Sequence, residues 1–167
     1  MSSPATDPAT DPSYATARAV DFGILLGLAY QNFVDELRAH LLAQGYDDVG
    51  KVYGYVFRAL EADSLHLRPL AERLGMTDQG ASKIINEMQE RGYVLRSTDA
   101  QDGRVKKLSL SARGTAALAA AKDFHAQYEQ RLAAQWGQGA LADIRQTLES
   151  MVAQSGSDAA HARLRAM

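Results

Sequence analysis

Apolar residues along this chain recur mostly at helical spacing and alternate in one short stretch. Leu26, Tyr30, Phe33, Leu37 and Leu41 form a stripe that Val20, Ile24 and Leu28 extend toward the N-terminus, and Gly45 ends it. This pattern predicts a helix from Thr16 to about residue 44, long for a small globular domain. A second helix buries Val49, Val52, Tyr53, Val56, Phe57 and Leu60, with Asp47 or Asp48 as its cap. "SLHL" is a short extended piece leading to Pro69, which suits the first turn of a short third helix, "PLAERLG", stopped by Gly75. Thr77 caps a fourth helix, "TDQGASKIINEMQERGY", ended by Gly92, with Tyr93 packing on Met88. In "YVLRSTDAQDGRVKKLSLS" two strand-like runs flank an Asp-Gly turn, and Leu108 and Leu110 alternate with Lys107 and Ser109, as in a β-hairpin with one buried side. Ser111 then caps a helix running to about Gln135. A last helix from about Leu141 to Val152 carries Leu141, Ile144, Leu148 and Met151 on one side.

The fourth helix carries two stripes. Ala81, Ile84, Ile85 and Met88 fall at i, i+3, i+4 and i+7, and so do Gln79, Ser82, Lys83 and Asn86. Any amphipathic helix has a polar outer face, and a merely solvated one tends to mix Glu with Lys. These four outer positions hold no acid. Gln and Asn suit adenine edges, Lys suits guanine, and Ser suits either. Gly80 would let backbone approach a phosphate or base closely.

A short helix, a tight glycine turn, a second helix and a hairpin make a winged helix-turn-helix, whose second helix lies in the DNA major groove. The expected fold is therefore mostly α with a small β-hairpin wing. Residues 47–111 form the winged domain, and residues 16–44 and 112–153 form a helical dimerisation arm. Residues 1–13 hold three of the four prolines and little to bury, which predicts a disordered tail; residues 155–167 are expected to fray.

Composition sharpens this picture. The 167 residues suffice for one domain, or for one domain that builds half of a dimer core. No apolar run approaches the ~18 residues needed to span a bilayer. The N-terminus shows no secretory pattern and the chain contains no cysteine, so a cytoplasmic protein without disulfides is expected. Net charge is −2, yet Ser64 to Arg113 holds nine Lys or Arg against six acids and is basic relative to its flanks.

The stretch "LAERLGMTDQGASKIINEMQERGYVLR" followed by "DGRVKKLSLSARG" resembles the MarR (multiple antibiotic resistance regulator) family. That family's wing signature is Arg, five residues, Asp-x-Arg, a short strand ending Leu-Thr, then Gly. It is met here by Arg96, Asp102, Arg104, Leu108, Leu110, Ser111 and Gly114, with Ser for Thr. Arg68, where relatives commonly carry a Ser or Thr cap, and Gly80 depart from the pattern. The resemblance implies a homodimer, built through its first and last helices, that binds a pseudo-palindromic operator in double-stranded DNA. It also implies release by a small, frequently phenolic or anionic ligand in a crevice lined here by Tyr30, His40, Tyr53 and Arg68. DNA contacts are expected from Thr77, Gln79, Gly80, Ser82, Lys83 and Asn86 on the helix. From the wing they are expected from Arg96, Asp102, Arg104, Lys106 and Lys107. Asp102 and Arg104, two apart, would share a strand face, so the carboxylate could orient the guanidinium toward a narrow minor groove.

Four histidines, at 40, 66, 125 and 161, form no i, i+4 pair and no recognisable ligand set, so no metal or cofactor is expected. No phosphate loop, nucleophile motif or paired-acid constellation occurs, and no enzyme is expected. The alternative reading is a winged helix used only for protein contact or scaffolding.

Overall fold

The structure is a computed structural model that describes residues 20–98 and 106–154. Its helices are α1 (Phe22–Ala43), α2 (Tyr53–Glu61), α3 (Leu67–Leu74), α4 (Asp78–Glu90), α5 (Ala112–Trp136) and α6 (Gln138–Gln154). Its strands are β1 (Leu65–His66), β2 (Val94–Thr98) and β3 (Lys106–Leu110). The chain divides into two units, with the boundary inside α1 between Glu36 and Leu37. The described part of the first unit is mainly helical, and Phe22, Ile24, Leu25, Leu28 and Tyr30 are exposed along it.

In the second unit one core draws on every winged-domain element. Val56, Phe57 and Leu60 come from α2, Leu70 and Leu74 from α3, and Ile85 and Met88 from α4. Tyr93, Val94 and Leu108 come from the sheet region, and Ala117 and Leu118 from α5. Fully burying one such large side chain contributes about 1.5–3 kcal/mol.

The helix-turn-helix follows from local chemistry. α3 ends at Gly75, whose N–H and that of Met76 donate to the carbonyls of Glu72 and Ala71 at 3.1 and 3.0 Å. Thr77 is extended, and its Oγ1 accepts from the Gly80 N–H at 3.1 Å, so it starts α4 as its side chain suggests. At the far end Gly92 has φ +75°, a conformation that favours glycine, and the Tyr93 N–H reaches the Met88 carbonyl at 2.8 Å. α4 is thus closed at both ends with its apolar stripe buried.

Four expectations change. Three strands pair, in the order β1-β3-β2 and antiparallel throughout, because Leu65 pairs with Leu108 on the free edge of β3. α3 begins at Leu67, two residues before Pro69. Its third residue is still a position whose N–H lacks a helical partner, so proline is tolerated there. α2 starts at Tyr53 behind Val52, with no side-chain cap, because the Asp48 carboxylate is engaged elsewhere. The last helix begins at Gln138. The hairpin strands pair in the register Val94 with Leu110 through Thr98 with Lys106. The Asp-Gly turn, with Asp102 and Arg104, lies outside the described residues, as do residues 1–13 and 155–167.

Candidate nucleic-acid interface

α4 turns Ala81, Ile85 and Met88 inward and leaves Gln79, Lys83 and Asn86 exposed, with Gly80 and Ser82 half-buried beside them. The two stripes therefore separate as their spacing requires. A Cβ placed on Gly80 would lie 3.3 Å from Thr77 Oγ1, so the glycine also leaves room for the capping oxygen.

The wing meets this helix directly. Arg96 on β2 donates through Nη2 to Asn86 Oδ1 at 2.7 Å. Asn86 keeps its amide N–H groups to offer, while its acceptor is held by the wing. Arg96 stands opposite Leu108, and Thr98 opposite Lys106, so Arg96 and Lys106 share one sheet face. Lys106 Nζ donates to Thr98 Oγ1 at 3.1 Å. Lys107, on the other face, is half-buried and pairs in register with Ser97 and His66.

A second polar cluster, which spacing did not reveal, lies at the C-terminal end of α4. Arg113, in the first turn of α5, donates to Asp48 Oδ1 at 3.0 Å and to the Tyr93 hydroxyl at 3.1 Å. The Tyr93 hydroxyl donates to the same Asp48 oxygen. Arg91 Nη1 donates to the Asp48 carbonyl and Nη2 pairs with Glu87 at 2.7 Å. The Arg113 guanidinium lies 4.8 Å from the Tyr93 ring centre. Burial pushes the Asp48 carboxyl up, but hydrogen bonds from Tyr93 and Arg113 outweigh it and hold the group below its ordinary value. Burial and the bond to Asp48 raise the Tyr93 phenol. Ser111 Oγ, buried, donates to the Gly92 carbonyl and accepts from the Gly114 N–H. A Cβ on Gly114 would stand 2.1 Å from the Tyr93 carbonyl oxygen, so only glycine lets α5 approach this closely. A basic residue beside the positive end of a helix, as Arg113 is, was the one visible sign of a partner.

Of the residues expected to line a crevice, the three in the second unit, His40, Tyr53 and Arg68, occupy separate surroundings. Tyr30 is exposed in the first unit. His40 lies 5.5 Å from the Phe124 ring and bonds Gln44 at 3.0 Å. Tyr53 is in the core, edge-on to Phe57 and Tyr93. Its hydroxyl makes no hydrogen bond of good geometry, and burial with the nearby Glu87 carboxylate raises its pKa. Arg68 is exposed and paired with Glu72 at 3.1 Å. A cavity of about 360 Å³ lies between the end of α2, β3 and α5, lined among others by Glu61, Ser64, Ser109, Leu118 and Lys122. Among the described residues no cluster of three or more His, Asp or Glu could hold a metal ion, and no helix is long and apolar enough to cross a membrane.

Residues 52–105 match the model of the MarR family. The fold is shared with Streptococcus pneumoniae FabT in complex with DNA, at TM-score 0.68 and 18% identity, covering 80% of this chain and 94% of that one. It is shared with an S. aureus MepR–DNA complex, at TM-score 0.61 and 20% identity, covering 80% and 96%. The transcriptional repressor CouR, bound to a 23-mer DNA duplex, gives TM-score 0.61 and 24% identity over 81% and 92%. No curated protein matches the chain. The match to the MarR family model thus lies on the winged helix-turn-helix, and the fold of the chain around it is the one these structures share.

Proposed function

We propose that the protein is a dimeric, sequence-specific DNA-binding transcriptional regulator acting in the cytoplasm, a repressor that a small ligand releases from its operator. The observation that carries this reading is the outer stripe of α4. Gln79, Ser82, Lys83 and Asn86 stand together without an acid among them, on a helix capped at both ends and bridged to the wing through Arg96. In a major groove these groups meet base edges, and Thr77 and Gly80 bring the helix N-terminus, with its free N–H groups, toward a phosphate. Asp102 and Arg104, which lie outside the described residues, belong on this reading to the wing's contact with the neighbouring minor groove. Arg96, Lys106 and Lys107 serve the backbone.

Two copies are needed. Ile144, Leu148, Met151 and Val152 of α6 are exposed within one chain, and a two-fold partner would cover them. A phenolic or anionic ligand near Tyr30, His40, Tyr53 and Arg68 would act by favouring one spacing of the two recognition helices over the other.

Selection from a pool of randomised duplexes tests the reading. The expected product has two symmetric half-sites about 10 bp apart, and affinity falls steeply with salt. Failure to enrich any sequence, with binding indifferent to salt, would favour a winged helix used only for protein contact.

A further inference from the structure

The cluster behind α4 touches none of the groups assigned to DNA, yet it ties together segments far apart in sequence. Asp48 belongs to the connector that follows α1, five residues past Ala43. Tyr93 is the second residue past the α4 C-cap, and Arg113 lies in the first turn of α5. The three side chains close a ring of hydrogen bonds on one carboxylate oxygen. The same Asp48 accepts a second bond from α4 through its carbonyl, donated by Arg91. The Tyr93 ring is completely buried against Phe57 and Tyr53, so its hydroxyl is presented from a fixed ring.

We infer that Asp48, Tyr93 and Arg113 are positioning residues for DNA reading, a tether through which the connector after α1 and the start of α5 set the tilt of the recognition helix. This inference rests on the DNA-binding reading above. Its physical basis is leverage. α4 has 13 residues and is therefore about 20 Å long. A tilt of roughly 3° at its tethered C-terminal end displaces Gln79 and its neighbours by about 1 Å, whereas a working site must hold its groups within about 0.5 Å. Ala81, Ile85 and Met88 fix how deep the helix sits, but an apolar stripe resists a small rocking motion less than directed bonds do. The tether supplies those bonds, and it joins the end of α4 to the connector after α1 and to the first turn of α5.

Tyr93→Phe removes one hydroxyl and leaves the ring in the core. Asp48→Ala removes the shared acceptor, and Asp48→Asn restores an acceptor at the same place. In the DNA-free protein, Tyr93→Phe and Asp48→Ala should speed hydrogen exchange at the Gly92 and Tyr93 amides by about 10-fold, with Asp48→Asn close to the parent. On DNA, the preference for the duplex selected by the parent protein over a random duplex of equal length should fall about 3- to 30-fold in the first two variants and recover in Asp48→Asn. Affinity for the random duplex and its salt slope should stay unchanged, because no phosphate contact is lost. Preference within about 2-fold of the parent in both deletions, or equal losses on both duplexes, overturns the tether. Should the parent show no preference for any duplex, the DNA reading itself fails. The exchange measurement then decides: faster exchange in the two deletions supports the tether and unchanged exchange overturns it.

Discussion

α4 and α6 carry apolar stripes of the same period and treat them in opposite ways. On α4, Ala81, Ile85 and Met88 disappear into the core, while α6 has no buried residue and exposes Ile144, Leu148, Met151 and Val152. The first stripe is satisfied within one chain, so the outer face of α4 is free to be specialised. The second stands exposed among the described residues, and apolar surface at that spacing suits a partner helix. On the proposed reading one pattern thus serves folding in one place and assembly in the other, and only the neighbours distinguish them.

Charges on the α6 stripe should break that contrast most severely. Leu148→Asp with Met151→Asp would place two carboxylates in a dry interface, at several kcal/mol each. Sedimentation should then show a monomer whose helical circular dichroism is retained; an unchanged dimer would mean that α6 is not the covered surface. On α4 the equivalent insult strikes the fold. Ile85→Ala should lower unfolding free energy by about 2–5 kcal/mol in denaturant titration, because its site is closed on all sides. A loss under about 1 kcal/mol would show a core that collapses easily.

Gly80→Ala sharpens the comparison on the outer face of α4. Helix propensity favours alanine by about 1 kcal/mol, and crowding of Thr77 Oγ1 opposes it, so stability should move by less than about 1 kcal/mol. Affinity for selected DNA should fall at least about 5-fold if the backbone there approaches a phosphate, and binding at parental strength would leave the glycine with the capping role alone. The smallest effect concerns acid. Asp48 is held below its ordinary value of 3.8, so its ionised form is favoured by folding. That contribution is present above the ordinary value and is lost as pH falls through the lower, folded one. The stability difference between the parent and Asp48→Asn should therefore shrink below about pH 4 in urea titrations; a gap constant from pH 6 to pH 3 would place the ionised carboxylate outside the ring.

The α4 pattern was legible because helix period, cap and terminal glycine are all local: Thr77, the two stripes and Gly92 sit within one short segment. β1 was legible only as the extended piece "SLHL", since two residues hold no alternation, and pairing with Leu108 and Lys107 makes them a strand. Asp48 looked like a helix cap because acids before helices usually are. Its partners lie 45 and 65 residues away, a proximity that local spacing does not encode. Arg96 was assigned to the wing, but its bond to Asn86 depends on how the sheet lies against α4. The apolar residues of α6 were visible as a stripe, and only the structure shows them exposed among the described residues.

The central claim is that the outer stripe of α4 reads sequence. Lys83 is exposed on that stripe, outside the core and the tether. The direct measurement is the affinity of Lys83→Ala for the selected duplex and for a random duplex of equal length at one salt concentration. The account predicts a loss of roughly 1–3 kcal/mol on the selected duplex, relaxed preference at one base pair, and little change on random DNA. Equal losses on both duplexes would reduce Lys83 to a phosphate contact and contradict the claim.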